Sequence, residues 1–134
     1  ARSAGSAAGS GPEPAAGQDL AHLRTARPCV LYLHSHLSCR LDAVPLLRTL
    51  LSAGVSVVAF DFAGHGQSEG QHVSLGWFEQ EDVQDCVEAL RGAGHRGTLG
   101  LWGHYTGAVA ALLYAGRDPS VAALVLEGAF ADVR

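Results

Sequence analysis

The sequence predicts an α/β fold, a three-layer sandwich in which a parallel sheet carries helices on both faces. Apolar, strand-like runs alternate with helix-like segments from residue 28 to the end of the 134-residue chain. Alternation of this kind produces right-handed crossovers and parallel strands. The runs are almost continuously apolar, which is typical of strands that are covered on both faces.

The chain divides into two parts by composition. Residues 1–17 consist mostly of Ala, Gly, Ser and Pro, and such a segment buries too little apolar surface to offset the entropy of ordering. We therefore predict a disordered tail or linker over residues 1–27 and a folded domain over residues 28–134.

Four segments have the apolar or β-branched composition of buried strands: residues 29–33, 55–60, 98–102 and 121–126. The first helix is predicted to begin with Asp42 as its cap and to hold Pro45 in its first turn. Gly54 suits the position just past the end of that helix.

The second helix is predicted over residues 77–90, where acidic residues in the first turn match the sign of the helix dipole. Trp77 and Phe78 are expected to pack in the core or between segments rather than to contact a substrate. The third helix is predicted over residues 106–115. Thr106 begins it, and its hydroxyl is expected to point into the helix.

Composition excludes several classes of function. The net charge is −4 and the basic residues are scattered, whereas a nucleic-acid partner requires a concentrated basic face. The three cysteines are predicted to be reduced thiols. The seven histidines match no zinc spacing, so we predict neither a metal nor another cofactor.

No membrane span is predicted. The longest uncharged stretch, residues 97–116, has the length of one, but its five glycines divide it into a strand, a turn and a helix. Residues 1–17 lack the apolar core of a signal peptide, so a cytoplasmic location is expected. The sequence contains no methionine, and from this we expect a fragment or an incomplete gene model.

Ligands of parallel sheets bind at the carboxyl ends of the strands, so the segments that follow the strands are the candidate site. These segments carry three motifs: His34-Ser35-His36, the run from Asp61 to Ser68, and Gly103-His104-Tyr105-Thr106-Gly107. Together they resemble the α/β-hydrolase superfamily, in particular the branch of serine aminopeptidases and monoglyceride-lipase-like enzymes. In that branch the motifs read His-Gly, Asp-x-x-Gly-x-Gly-x-Ser and Gly-x-Ser-x-Gly.

The resemblance covers residues 28–133 and implies the N-terminal half of an α/β-hydrolase fold. It assigns Tyr105 to the position of the nucleophilic serine and the elbow to Gly103, His104 and Gly107. The oxyanion donors that it implies are Ser35, His36 and Thr106. The residues that it implies for the structural loops are His34, Asp61, Gly64, Gly66 and Ser68.

A tyrosine in the elbow argues against the chemistry of the family. Its oxygen lies about 4 Å farther from the backbone than a serine oxygen, and a misplacement of about 1 Å costs on the order of 100-fold in rate. A bulky residue in the strained elbow also costs about 1–3 kcal/mol. The family's acid and histidine follow the nucleophile, yet residues 108–134 contain no histidine. Their acid candidates are Asp118, Glu127 and Asp132.

The sequence therefore predicts an α/β-hydrolase-family protein whose chemistry, by resemblance, is hydrolysis of a small-molecule ester or amide. We expect this copy to be inactive or truncated. One alternative is a non-catalytic binding protein that retains the fold. A sequence error at codon 105 in front of an ordinary hydrolase is another, and resequencing the locus tests it.

Overall fold

A four-stranded parallel sheet organises the computed structural model, which describes residues 25–66, 69 and 74–132. The strands are β1 (Cys29–Leu33), β2 (Ser56–Ala59), β3 (Leu99–His104) and β4 (Val121–Glu127). Their order across the sheet is β2-β1-β3-β4. The predicted tail falls largely on residues 1–24, outside the described residues.

Helices cover the two faces of the sheet. They are α1 (Val44–Ser52), which follows a 3₁₀ helix at Arg40–Ala43, α2 (Glu79–Gly92) and α3 (Thr106–Ala115). Helix α1 packs against β2, while α3 lies against β1, β3 and β4 and also packs on α2. The predicted three-layer α/β architecture is therefore confirmed. The core consists of side chains from the strands, from α2 and α3 and from the segment after β2, including Leu31, Leu33, Phe62, Val83, Leu99 and Leu101.

The strand register brings the ends of three strands together. Leu33 at the end of β1 pairs with Gly103, and His104 at the end of β3 pairs with Glu127 of β4. Because all the strands are parallel, the loops that follow them meet at one edge of the sheet.

The second strand and the first helix differ from their predictions. The predicted strand 55–60 shortens to β2, whose residues are only half-buried, because β2 pairs only with β1 among the described strands. Asp42 does not cap α1: it lies within the 3₁₀ helix, and its carboxylate accepts a hydrogen bond from the Ser38 hydroxyl. Gly54, with φ at +78°, follows α1 as predicted.

The second helix begins two residues later than predicted, because Glu79 organises the turn in front of it. The Glu79 carboxylate is fully buried and accepts hydrogen bonds from the Ser74 N–H at 2.9 Å, the Ser74 hydroxyl at 2.6 Å and the Gly76 N–H at 2.7 Å. Burial alone would raise the pKa of Glu79, but these hydrogen bonds outweigh it and lower that pKa below its usual value.

Of the two expected places for Trp77 and Phe78, in the core or between segments, the core is wrong. Trp77 is 64% exposed and Phe78 is 41% exposed, because both lie in the turn that precedes α2 rather than on its buried face. Trp77 lines an apolar cavity of about 500 Å³ together with Leu112 and Phe130.

Candidate active site

Tyr105 occupies a sharp turn between β3 and α3. Its backbone angles are φ +48° and ψ −107°, a conformation that L-residues rarely adopt. The Tyr105 N–H donates to the Glu127 carbonyl at 2.7 Å, and the Tyr105 carbonyl accepts from the Val109 N–H at 3.1 Å. The turn is therefore held to β4 on one side and to the first turn of α3 on the other.

The glycines that flank Tyr105 leave no space for a side chain. A Cβ at Gly107 would overlap the Leu33 carbonyl, and a Cβ at Gly103 would overlap the backbone of Gly107 and Ala108. Ala108 is fully buried, so α3 approaches the strands closely. Close approach of this kind is what the nucleophile elbow of the hydrolase fold requires.

The Tyr105 side chain turns toward the loop after β4. Its ring centroid lies 4.6 Å from that of His104, and a Cβ on Gly128 would lie 2.9 Å from its Cε1 atom. The residue remains 49% exposed. The phenol is therefore displaced sideways, over Gly128, from the point at which a short hydroxyl would stand.

His34 joins the first loop to the second. It is fully buried, its Nδ1 lies 2.6 Å from the Ser35 carbonyl, and its Nε2 accepts the Phe62 N–H at 3.0 Å. These partners fix the proton on Nδ1. Burial lowers the pKa of His34, so the ring is neutral and holds the two loops together.

His36 connects the first loop to the elbow. Its Nδ1 lies 3.0 Å from the Thr106 hydroxyl oxygen, and its carbonyl lies 3.1 Å from Nε2 of the buried His65. The expectation that the Thr106 hydroxyl points into the helix is wrong, because His36 draws it toward the first loop. Neither contact follows from sequence spacing, since the partners lie 70 and 29 residues apart.

Three backbone N–H groups remain without an acceptor at this point. Within residues 25–66 and 74–132, the N–H groups of Ser35, His36 and Thr106 make no hydrogen bond. Free N–H groups at a helix N-terminus and in an adjacent loop are the donors that an oxyanion site uses. The geometry is compatible with the predicted oxyanion role, which stays a prediction.

Asp61 anchors the second loop. Its buried carboxylate accepts the Arg40 N–H at 2.7 Å and forms an ion pair with the Arg40 guanidinium. Gly66 packs so closely that a Cβ there would overlap this carboxylate. The Gly64 N–H donates to the Glu69 carbonyl at 3.1 Å. Ser68 lies outside the described residues. The role of Arg40 was not predicted, because a lone basic residue between two predicted elements belongs to no motif.

The acid candidates lie far apart. Glu127 ends β4 at the site edge, and its Oε2 accepts the Trp102 indole N–H at 3.2 Å. Asp118 lies in the turn before β4, at the opposite edge. Hydrogen bonds from Ser120 and Tyr114 lower the pKa of Asp118. Asp118 therefore stabilises that turn. Asp132 follows β4.

The described residues contain neither a metal-binding cluster nor a membrane-spanning helix. No group of three His, Cys, Asp or Glu side chains is placed to hold a metal ion. No helix in the same ranges is long and apolar enough to cross a bilayer.

Comparison with known proteins agrees with this geometry. The sequence profile of the serine aminopeptidase family, S33, matches residues 25–134. The lysophosphatidylserine lipase ABHD12 of Gallus gallus is 33% identical over 119 residues, which are 84% of this chain and 30% of that protein. The uncharacterized protein YqkD of Bacillus subtilis is 39% identical over 77 residues, 57% of this chain and 25% of that protein.

Solved structures share the fold. The esterase Pf2001 of Pyrococcus furiosus superimposes with a TM-score of 0.71 at 26% identity, over 79% of this chain and 43% of that one. An esterase from Exiguobacterium antarcticum, at 21% identity and a TM-score of 0.64, supports the fold alone; the match covers 76% of this chain and 38% of that one.

The fold and the family profile together define a member of the α/β-hydrolase superfamily. Within that class, the chain belongs to the serine aminopeptidase family, S33. It spans 25% to 30% of the length of the curated relatives that it matches.

Proposed function

We propose that this chain forms the first half of an esterase- or lipase-like hydrolase domain in which Tyr105 disables the serine chemistry of the family. The observation that carries this proposal is the backbone of Tyr105, with φ +48° between glycines that admit no side chain. The turn has the geometry of an elbow, but a phenol occupies the place of the nucleophilic hydroxyl.

The position of the phenol supports loss of activity. A tyrosine oxygen reaches about 4 Å beyond a serine oxygen, and a misplacement of about 1 Å costs on the order of 100-fold in rate. The unbonded N–H groups of His36 and Thr106 belong to the backbone. An acyl group carried on the distant phenol oxygen would therefore lie out of their reach. The contacts of the ring with His104 and Gly128 also hold it to one side.

The substrate class follows from the relatives and is part of the proposal. Relatives described as a lysophosphatidylserine lipase and an esterase indicate small-molecule esters. In the family reaction the serine oxygen attacks the acyl carbon, the alcohol leaves with a proton from the histidine, and water then hydrolyses the acyl-enzyme. In this chain Tyr105 stands at the position of that serine.

Hydrolysis of p-nitrophenyl butyrate tests the proposal in the longest chain that the gene encodes. The wild type and Tyr105→Phe are expected to show only background hydrolysis. Tyr105→Ser is expected to raise the rate by about 100-fold or more, because it restores the nucleophile in a preserved turn. Wild-type hydrolysis that disappears in Tyr105→Phe would mean that Tyr105 acts as a nucleophile, and would overturn the proposal.

The second candidate function is a non-catalytic binding protein. It is favoured by the half-exposed Tyr105 ring, which stands at the edge where hydrolases of this fold bind substrate. If Tyr105→Ser folds normally and stays inactive, the rest of the catalytic site is also lost, and binding becomes the better account.

A further inference from the structure

A second cavity lies on the α1 side of the sheet, next to the carboxyl ends of β1, β3 and β4. Its volume is about 340 Å³. Its polar wall consists of Tyr32, Asp42, His104 and Glu127, and its apolar wall of Leu41, Pro45 and Leu46. It is separate from the Tyr105 phenol, which turns toward Gly128.

Tyr32 supplies an unused polar group to this cavity. The residue is only 4% exposed, and its hydroxyl has no hydrogen-bond partner within residues 25–66 and 74–132. No side-chain oxygen of the described residues is both fully buried and unpaired. The Tyr32 hydroxyl therefore faces the open space of the cavity that the residue lines. The hydroxyl of this almost fully buried residue is therefore free to bond to a ligand in that space.

The charges around the cavity are negative. The Asp42 carboxylate accepts only the neutral Ser38 hydroxyl, and Glu127 accepts only the Trp102 indole N–H. Neither carboxylate forms an ion pair with a basic side chain in the described part of the chain. Burial raises the pKa of Tyr32, and the charges of Asp42 and Glu127 raise it further, so the phenol keeps its proton and lies near both carboxylates.

We propose that this cavity binds a primary ammonium group carried on a short aliphatic chain. The two carboxylates and the phenolic oxygen of Tyr32 provide three acceptors, and an ammonium group has three N–H donors. The aliphatic part packs against Leu46 and the apolar wall beside it. The inference does not rest on the proposed function, because it uses neither the Tyr105 side chain nor the oxyanion donors.

Titration with n-butylammonium chloride tests the proposal in the longest chain that the gene encodes. NMR of the Tyr32 and His104 ring protons, at constant ionic strength, supplies the readout. Both sets of resonances are expected to shift in a saturable manner. n-Butanol lacks the charge, and tetramethylammonium lacks the N–H donors, so both are expected to bind at least about tenfold more weakly. Equal binding of n-butanol, or no saturable shift, would overturn the proposal.

Variants locate the site. Glu127→Gln is expected to weaken n-butylammonium binding about tenfold, since one charge-assisted hydrogen bond is lost, and Tyr32→Phe is expected to weaken it severalfold. Asp85→Asn removes the same charge from the exposed surface of α2 and serves as the matched control. If Asp85→Asn weakens binding as much as Glu127→Gln, general attraction to an acidic protein explains the result and the site is refuted. The wild-type titration decides the question if a variant fails to fold.

Discussion

Tyr105 has a strained backbone, and Leu75 is the other non-glycine residue with positive φ in the described part of the chain; Tyr105 is the one in the candidate site. Its φ of +48° lies in the region that favours glycine, and ψ of −107° falls outside the ordinary left-handed basin. Such backbone strain costs about 1–3 kcal/mol and survives only where the surroundings enforce it. Here the hydrogen bonds to Glu127 and Val109 enforce it. The sequence identified the position and the strain, because the flanking glycines reveal the turn.

Comparing Tyr105→Gly with Tyr105→Ala measures this strain. Both variants lose the ring, but only glycine relaxes at positive φ, so Tyr105→Gly is expected to be more stable by about 1 kcal/mol. Elsewhere alanine is normally the more stable of the two. Urea unfolding supplies the measurement, and an alanine variant as stable as the glycine variant would mean that the turn is relaxed.

The flanking glycines predict a second residue-scale result. Gly107→Ala is expected to destabilise the fold by about 3–5 kcal/mol, because its Cβ would overlap the Leu33 carbonyl. Gly92→Ala is the matched control: a Cβ there meets nothing within 4 Å, and the change is expected to be neutral or slightly stabilising. Thermal unfolding of the two variants checks the difference. Similar melting temperatures would show that α3 can move away from β1 to make room for the Cβ.

At the scale of elements, particular side-chain contacts were the features that the sequence did not predict. The order of strands and helices follows from local patterning, and the range of α3 matched its prediction. Three features were not predicted: the hydrogen bond between His36 and Thr106, the ion pair of Arg40 with Asp61, and the capping role of Glu79. Each depends on how side chains meet in space, which periodicity does not encode.

Glu79 gives the start of α2 a pH dependence. Its folded-state pKa is below the unfolded value, so its contribution to stability is complete above about pH 4.5 and is lost as the pH falls through the lower folded value. Glu79→Gln is expected to cost about 2–3 kcal/mol at pH 7, because an amide cannot accept from every N–H that the carboxylate binds.

Urea unfolding at pH 7 and near pH 3 checks this. The difference in unfolding free energy between the wild type and Glu79→Gln is expected to shrink at the lower pH. Glu81→Gln changes a half-buried acid in the same turn and serves as control, with an expected effect below about 0.5 kcal/mol. A Glu79→Gln penalty that is independent of pH would refute the ionic cap.

At the scale of the whole molecule, the sheet is unevenly covered. β4 pairs only with β3 among the described strands, and most of its residues are exposed, including Val125 at 42%. The sequence predicted a buried strand over residues 55–60, but β2 lies at the edge of the sheet opposite β4. An apolar run does not specify the place of a strand in the sheet order. Exposed apolar edges favour pairing between molecules.

We expect the 134-residue chain to be marginally stable or to aggregate through β4. Val125→Lys is expected to slow aggregation severalfold, since a charge on an edge strand opposes pairing. Leu37→Lys replaces a more exposed apolar residue away from the sheet and is expected to have little effect. Light scattering at a fixed concentration compares them. A wild type that stays monomeric, with a cooperative thermal transition, contradicts this expectation.

We infer that a preserved hydrolase elbow holds, in Tyr105, a residue that cannot serve as its nucleophile. A fluorophosphonate probe, applied to the longest chain that the gene encodes and followed by intact-mass analysis, tests it most directly, because the probe bonds covalently to activated nucleophiles. We expect no adduct on the wild type and a single adduct at position 105 in Tyr105→Ser. An adduct on wild-type Tyr105, or on another residue of the wild type, would contradict it.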